Sequence, residues 1–188
     1  MELNEQLKKA LEELRKGKER KFDQTVDLIL NLQKFNPKKD SVNTFITLPH
    51  KVKDKKIAGF LEVKSSQMDT VTPEQFKKYE DKKILKNLVK KYDFFVAQAS
   101  LMPKVATSFG RFLGPVGKMP SPQMGILASV DNKSLASLKE KINKGIKIKT
   151  KESSIKFAIG KQSMKDEEII ENIIAVYNTL LKVLPRQK

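Results

Sequence analysis

The sequence predicts an α/β protein with two domains. An α+β outer domain is made of two separated stretches, residues 1–53 and 145–188, and a second α/β domain, residues 54–144, is inserted between them. Three observations carry this. Both ends of the chain pair an amphipathic helix with strands that alternate apolar and polar residues. The middle instead alternates continuous apolar runs with helical patterns, which is the signature of a mainly parallel sheet covered on both faces. Neither end alone has enough apolar residues to close a core, so the two ends must pack together.

Taken in order, Leu3, Leu7, Leu11 and Leu14 recur at helical spacing and predict a helix over residues 3–16. From Lys21 to Leu32 the pattern alternates. Phe22, Gln24, Val26, Leu28, Leu30 and Leu32 fall on one side, and Asp23, Thr25, Asp27, Ile29 and Asn31 on the other. That is a strand with one buried face, and Phe22 shares the parity of the buried set. "NTFITLPH" reads as a second strand stopped by Pro49.

The inserted stretch opens with "IAGFLEV" (57–63), a strand buried on both faces. Thr72, Pro73 and Gln75 form a helix start for one helix that carries Leu85, Leu88, Val89 and Tyr92 on one stripe. "FFVAQ" (94–98) and "GILASV" (125–130) are further strands, and "DNKSLASLKEKINKG" is a short helix closing at Gly145. After it, "IKIKT" and "SSIKFAIGK" read as two strands joined at "KESS". Ile155, Phe157 and Ile159 share a face in the second. Ser163 is placed to cap a final helix with Asp166, Glu167 and Glu168 in its first turns.

Charge narrows the function. A formal +16 on 188 residues exceeds what solubility needs and points to a polyanionic partner, nucleic acid first. The excess is concentrated: thirteen Lys or Arg stand against three Asp or Glu between residues 100 and 165. The chain has no cysteine and one histidine, His50, so neither thiolate metal sites nor a Ser-His-Asp triad is expected. No metal, no cofactor and no catalytic residue is expected. No apolar run is long enough to span a bilayer, no secretory leader is expected, and no membrane partner is expected.

The segment "FGRFLGPVGKMPSP" (109–122) is the one place that invites a nucleotide-using enzyme as the alternative. A phosphate loop needs a glycine five residues before Gly117, where Phe112 stands, and a hydroxyl after Lys118, where Met119 stands. The segment is therefore expected to be a basic, glycine- and proline-shaped loop carrying Arg111 and Lys118.

Nucleic-acid binding has positive support. Ile146 and Ile148 point one way on their strand while Lys147, Lys149 and Lys151 point the other. Strand geometry sets those lysines about 7 Å apart, close to the spacing of successive phosphates. Arg20 and Lys21 flank the first strand, Thr25 offers a hydroxyl, and an aromatic beside polar groups on a sheet suits an irregular RNA surface.

Together these residues resemble the L-one family of large-subunit ribosomal proteins. "KFDQTVDL" looks like its N-terminal strand motif, "TLPH" its domain-crossing segment, "FGRFLGPVGKMPSPQMG" its signature loop and "IGKQSM...ENI" its final strand and helix. "KKILKNLVKKYDFFVAQASLMPKV" looks archaeal or eukaryotic-like. The resemblance implies a Rossmann-like inner domain inserted into the discontinuous outer, RNA-binding one. It implies binding to the rRNA of the mobile stalk beside the tRNA exit site, a cytoplasmic, ribosomal location and a monomer when free of the ribosome. It also implies exit-site tRNA and the protein's own messenger RNA leader as further partners, the latter for translational repression.

Carried over by position, Phe22, Thr25 and Asp27 would face RNA, with Arg20, Lys21 and the basic strand of Lys147, Lys149 and Lys151. Arg111 and Lys118 form a second candidate contact. Two departures are Val116, where the family usually carries arginine, and the end of the sequence at Lys188, ahead of a last strand with a Thr-Met-Gly motif.

Overall fold

The computed structural model describes residues 3–17, 20–36, 40, 42–122, 124–127, 130–150 and 152–184, the side chains of Glu80 and Asn132 excepted. The chain divides into two compact units, 1–53 with 144–188, and 54–143.

In the first unit, helix α1 (Leu3–Arg15) buries Leu11 and leaves its charged face to solvent. Strand β1 (Thr25–Asn31) exposes Thr25, Asp27, Ile29 and Asn31 and turns Val26, Leu28 and Leu30 inward, the period of two that the sequence shows. Strands β2 (Asn43–Thr47), β7 (Gly145–Lys149) and β8 (Ser154–Lys161) complete two antiparallel ribbons: β1 pairs with β8 and β2 with β7. The strands of "IKIKT" and "SSIKFAIGK" are thus not partners of each other. Helix α5 (Asp166–Val183) packs across them, and Ile46, Leu48, Ile148, Ile155, Ile159, Ile169, Ile173, Val176 and Leu180 form the shared core.

β1 begins four residues later than its alternation predicts. Asp23 turns away to accept hydrogen bonds from the Ser163 N–H and hydroxyl at 3.1 and 3.0 Å. Ser163 therefore does not cap α5. That helix starts after Lys165, whose N–H donates to Glu168 at 3.2 Å. Phe22 consequently lies on a bend before the strand and is 63% exposed, not on the buried face.

In the second unit, parallel strands β3 (Ile57–Phe60), β4 (Asp69–Val71), β5 (Phe94–Gln98) and β6 (Ile126–Leu127) form one sheet in the order β4-β3-β5-β6. β4 is too short for its alternation to register in the sequence, and residues 128–129 of the expected third strand lie outside the described residues. Both faces are covered. Phe60, Phe95, Leu85, Phe109 and Leu113 fill one side, and Ile57, Leu61, Val96, Leu135 and Ile142 the other.

Instead of one helix after Thr72 there are two. A 3-10 helix (Pro73–Glu80) is followed by α2 (Lys82–Lys91), whose first turn is capped by the Asp81 carboxylate accepting from the Lys83 N–H at 2.7 Å. Helix α4 (Asn132–Lys144) leads straight into β7.

The expected loop at 109–122 is the largest departure. Residues Met102–Val116 form helix α3, with Gly117 in the left-handed region (φ 74°) as its terminator. The Gly117 N–H donates to the Gly114 carbonyl and the Lys118 N–H to the Leu113 carbonyl, each at 2.9 Å. Val105, Phe109 and Leu113 recur every four residues on the buried face. Their burial outweighs the weak helix propensity of Gly110 and Gly114. Phe109, 1% exposed, sits with its ring 4.8 Å from that of Phe60 and 5.0 Å from that of Phe76. Pro115 falls in the last turn, where the hydrogen bond it removes matters least.

Candidate nucleic-acid interface

The candidate interface of the first unit lies on the outward faces of the two ribbons. On β7, Lys147 and Lys149 are exposed while Ile148 is buried and Ile146 half-buried, so the two ammonium groups share a face held flat by apolar residues behind it. Lys149 stands opposite Asn43 and Lys147 opposite Phe45 on β2. Lys151 lies outside the described residues. Partial burial lowers the pKa of Lys147 below the ordinary lysine value, and the charge of Lys149 lowers it further. Like charges held side by side in this way favour occupation by an anion.

Along the seam between β7 and β8 runs a groove of about 230 Å³, lined by Lys147, Lys149, Glu152, Ser154 and Lys156 over Ile148, Ile155 and Phe157. Lys156 was not singled out from the sequence. Its signal was present, since it alternates with Ile155 and Phe157 on β8.

On the other side of β1, a cleft of about 300 Å³ opens against α1. Arg15, Arg20, Gln24, Thr25, Asp27 and Gln162 rim it over Leu11, Val26 and Ile169. Three of the sequence-named residues, Arg20, Thr25 and Asp27, meet there. Asp27 also pairs with the Lys156 ammonium at 3.3 Å, so one ion pair links the rim of the cleft to the groove. Lys21 and Phe22 stand exposed just ahead of the strand.

The scaffold beneath is tied by polar contacts. Arg15 reaches the Asp166 carboxylate through Nε at 2.7 Å and the carbonyls of Gln162 and Met164 at 2.9 and 2.8 Å. Lys161 approaches Asp23 at 3.2 Å. Partial burial acts to raise the Asp23 pKa, but hydrogen bonds from the Ser163 N–H and hydroxyl, together with Lys161, hold it below its ordinary value.

The two residues of the glycine-rich segment separate. Arg111 is exposed on α3 and makes no hydrogen bond or ion pair among the described residues. The Lys118 ammonium instead donates to the carbonyls of Val89 and Tyr92, both at 2.8 Å, closing the C-terminus of α2. A nucleotide phosphate has no place at this segment, because α3 presents its carbonyl end there and the lysine is already engaged. At the carboxyl ends of the parallel strands, where doubly wound sheets hold phosphates, stands Glu62. Its N–H donates to Gln98 at 3.2 Å, and its carboxylate accepts from Ser100 at 2.8 Å. Among the described residues no group of three or more His, Cys, Asp or Glu is placed to hold a metal ion, and no helix is long and apolar enough to cross a membrane.

An α/β protein of two units, one with lysines ranked on ribbon faces and the other built on an open parallel sheet, has the form of a protein that binds a polyanion. The family model for the ribosomal protein L1p/L10e family matches residues 14–188, and the chain belongs to that family, one of ribosomal proteins and not of enzymes. It is 36% identical over 194 aligned residues to the large ribosomal subunit protein uL1 of Nanoarchaeum equitans, covering 98% of this chain and 89% of that protein. Its identity to the uL1 of Methanococcus vannielii is 37%, covering 94% of this chain and 86% of that protein. To the uL1 of Pyrobaculum islandicum it is 32%, covering 95% and 83%.

Proposed function

We propose that this protein is a constituent of the large ribosomal subunit in the cytoplasm and that its discontinuous unit binds the rRNA of the mobile stalk beside the tRNA exit site. The reading is supported by family membership. The single observation that carries the mechanism is the shared outward face of Lys147 and Lys149, continued by Lys156 around one groove. Phosphates would lie along these ammonium groups. Arg20, Lys21, Phe22 and Thr25 would meet the sugar and base edges of an irregular RNA, and Asp27 would hold Lys156 in place. Lys151 belongs to the same row by its position in the sequence. On the inserted, Rossmann-like unit, Arg111 is the remaining ribosome or tRNA contact. A mimic of the stalk in the protein's own messenger RNA leader would occupy the same face, and translational repression would follow from that competition.

The test is a filter-binding titration of a stalk rRNA fragment across a salt series. The logarithm of affinity should fall linearly with the logarithm of salt, with a slope of about −0.7 to −0.9 for each phosphate neutralised. An affinity indifferent to salt contradicts the reading.

A further inference from the structure

The inserted unit holds a second concentration of positive charge that the ribbon face does not use. At the amino-terminal edge of its parallel sheet, a concavity of about 330 Å³ is lined by Lys55, Lys56, Gln67, Asp69, Lys91 and Lys139 over Ile57, Met68 and Tyr92. These residues come from the segment entering β3, the turn before β4, the end of α2 and the middle of α4, so the tertiary fold alone brings them together. Four ammonium groups face one carboxylate. Asp69 is already occupied, accepting from the Tyr92 hydroxyl and lying 3.7 Å from Lys91. Lys91 also lies over the Tyr92 ring, 4.9 Å from its centroid. Lys55 donates to the Ile142 carbonyl at 2.8 Å. Lys56 and Lys139 are exposed, and neither ammonium has a partner among the described residues.

Cations gathered around one concavity repel one another unless an anion joins them. The space is at the small end of ligand pockets, enough for one nucleotide unit. Its apolar floor and the Gln67 amide suit a sugar or base beside a phosphate. We infer that this concavity binds the phosphate group of a nucleotide unit, carried either by an RNA chain or by a free nucleotide. The site lies at the opposite end of the sheet from Glu62, where an acidic group and its partners disfavour phosphate. Its polynucleotide arm rests on the RNA-binding reading above; the phosphate chemistry does not.

The experiment is a backbone NMR titration of the full chain with inorganic phosphate, then adenosine monophosphate, then a short single-stranded RNA. The amides of Lys56, Gln67, Lys91 and Lys139 should shift saturably with at least one of them. The double variant Lys56→Gln, Lys139→Gln should weaken that binding about ten-fold, as loss of two charge-assisted contacts implies. Lys149→Gln, on the other unit, should leave these shifts unchanged, so a failure of the ribbon face reads separately. Shifts with phosphate and the mononucleotide identify a free-anion site, whereas shifts with RNA alone identify a backbone contact. No saturable shift with any ligand, or undiminished shifts in the double variant, overturns the inference.

Discussion

Asn172 holds His50 by both of its backbone polar groups. Its Oδ1 accepts from the His50 N–H at 2.9 Å, and its Nδ2 donates to the His50 carbonyl at 3.1 Å and to the Ile159 carbonyl at 3.0 Å. The amide is fully buried on α5, so it fastens the end of "TLPH" to β8 from inside the core. Asn172→Leu keeps the fork at Cγ and strands three backbone groups. Each buried unsatisfied group costs roughly 1–3 kcal/mol, and the expected loss in urea unfolding is about 3 kcal/mol. A loss under about 1 kcal/mol would mean that water replaces the amide.

Two kinds of glycine should respond oppositely to alanine. A Cβ on Gly160 would lie 2.8 Å from Ile169 Cγ1, where α5 presses on β8, and Gly160→Ala should cost about 1–3 kcal/mol. At Gly110, inside α3 and not followed by a proline, nothing lies within 4 Å, so Gly110→Ala should add up to about 1 kcal/mol. Thermal melts of the two variants check the contrast, and equal effects would contradict the packing.

Lys118→Ala removes the ammonium from the carbonyls of Val89 and Tyr92. It should destabilise the protein by about 1–2 kcal/mol through the exposed end of α2. Any binding of labelled ATP in equilibrium dialysis should be the same in parent and variant. Saturable binding lost in the variant would restore the nucleotide-enzyme alternative.

Lys149→Glu should weaken rRNA binding at every salt concentration, and Lys149→Gln should make the salt slope shallower by about one phosphate's worth. Lys147 supplies a pH signature. Its charged form is disfavoured by burial and by Lys149, so it loses its proton at lower pH than an ordinary lysine. Phosphate favours the charged form, so binding takes up a proton on the alkaline side, and affinity falls as pH rises through the depressed value. Lys149→Gln removes the repulsion and should move that decline to higher pH. A decline that stays in place in the variant would separate the two lysines.

The Asp23 carboxyl titrates below its ordinary value of 3.8 in the folded chain. A depressed carboxylate contributes stability that is present above the unfolded value and lost as pH falls through the folded one. Asp23→Asn should therefore melt below the parent at neutral pH, and the gap should close in acid. A gap constant with pH would mean that Asp23 acts by shape alone.

Much of this was legible in the sequence where the signal is local. The exposed row of Thr25, Asp27, Ile29 and Asn31, and the ranking of Lys147 and Lys149 against Ile146 and Ile148, follow from a side-chain period of two. α3 was not legible, because Gly110, Gly114, Pro115 and Gly117 spell a loop by propensity. Only the burial of Val105, Phe109 and Leu113 under the sheet makes a helix of it.

The amino-acid order by itself determined which side of each ribbon is charged and that the whole chain favours a polyanion. Tertiary structure alone decided the neighbours: β1 beside β8, Lys156 across from Ile29 and against Asp27, Lys118 turned to the end of α2, and four lysines around one concavity. Periodicity is written within a few residues by backbone geometry. Strand pairing and side-chain convergence join segments a hundred residues apart, and only packing of the core selects among them.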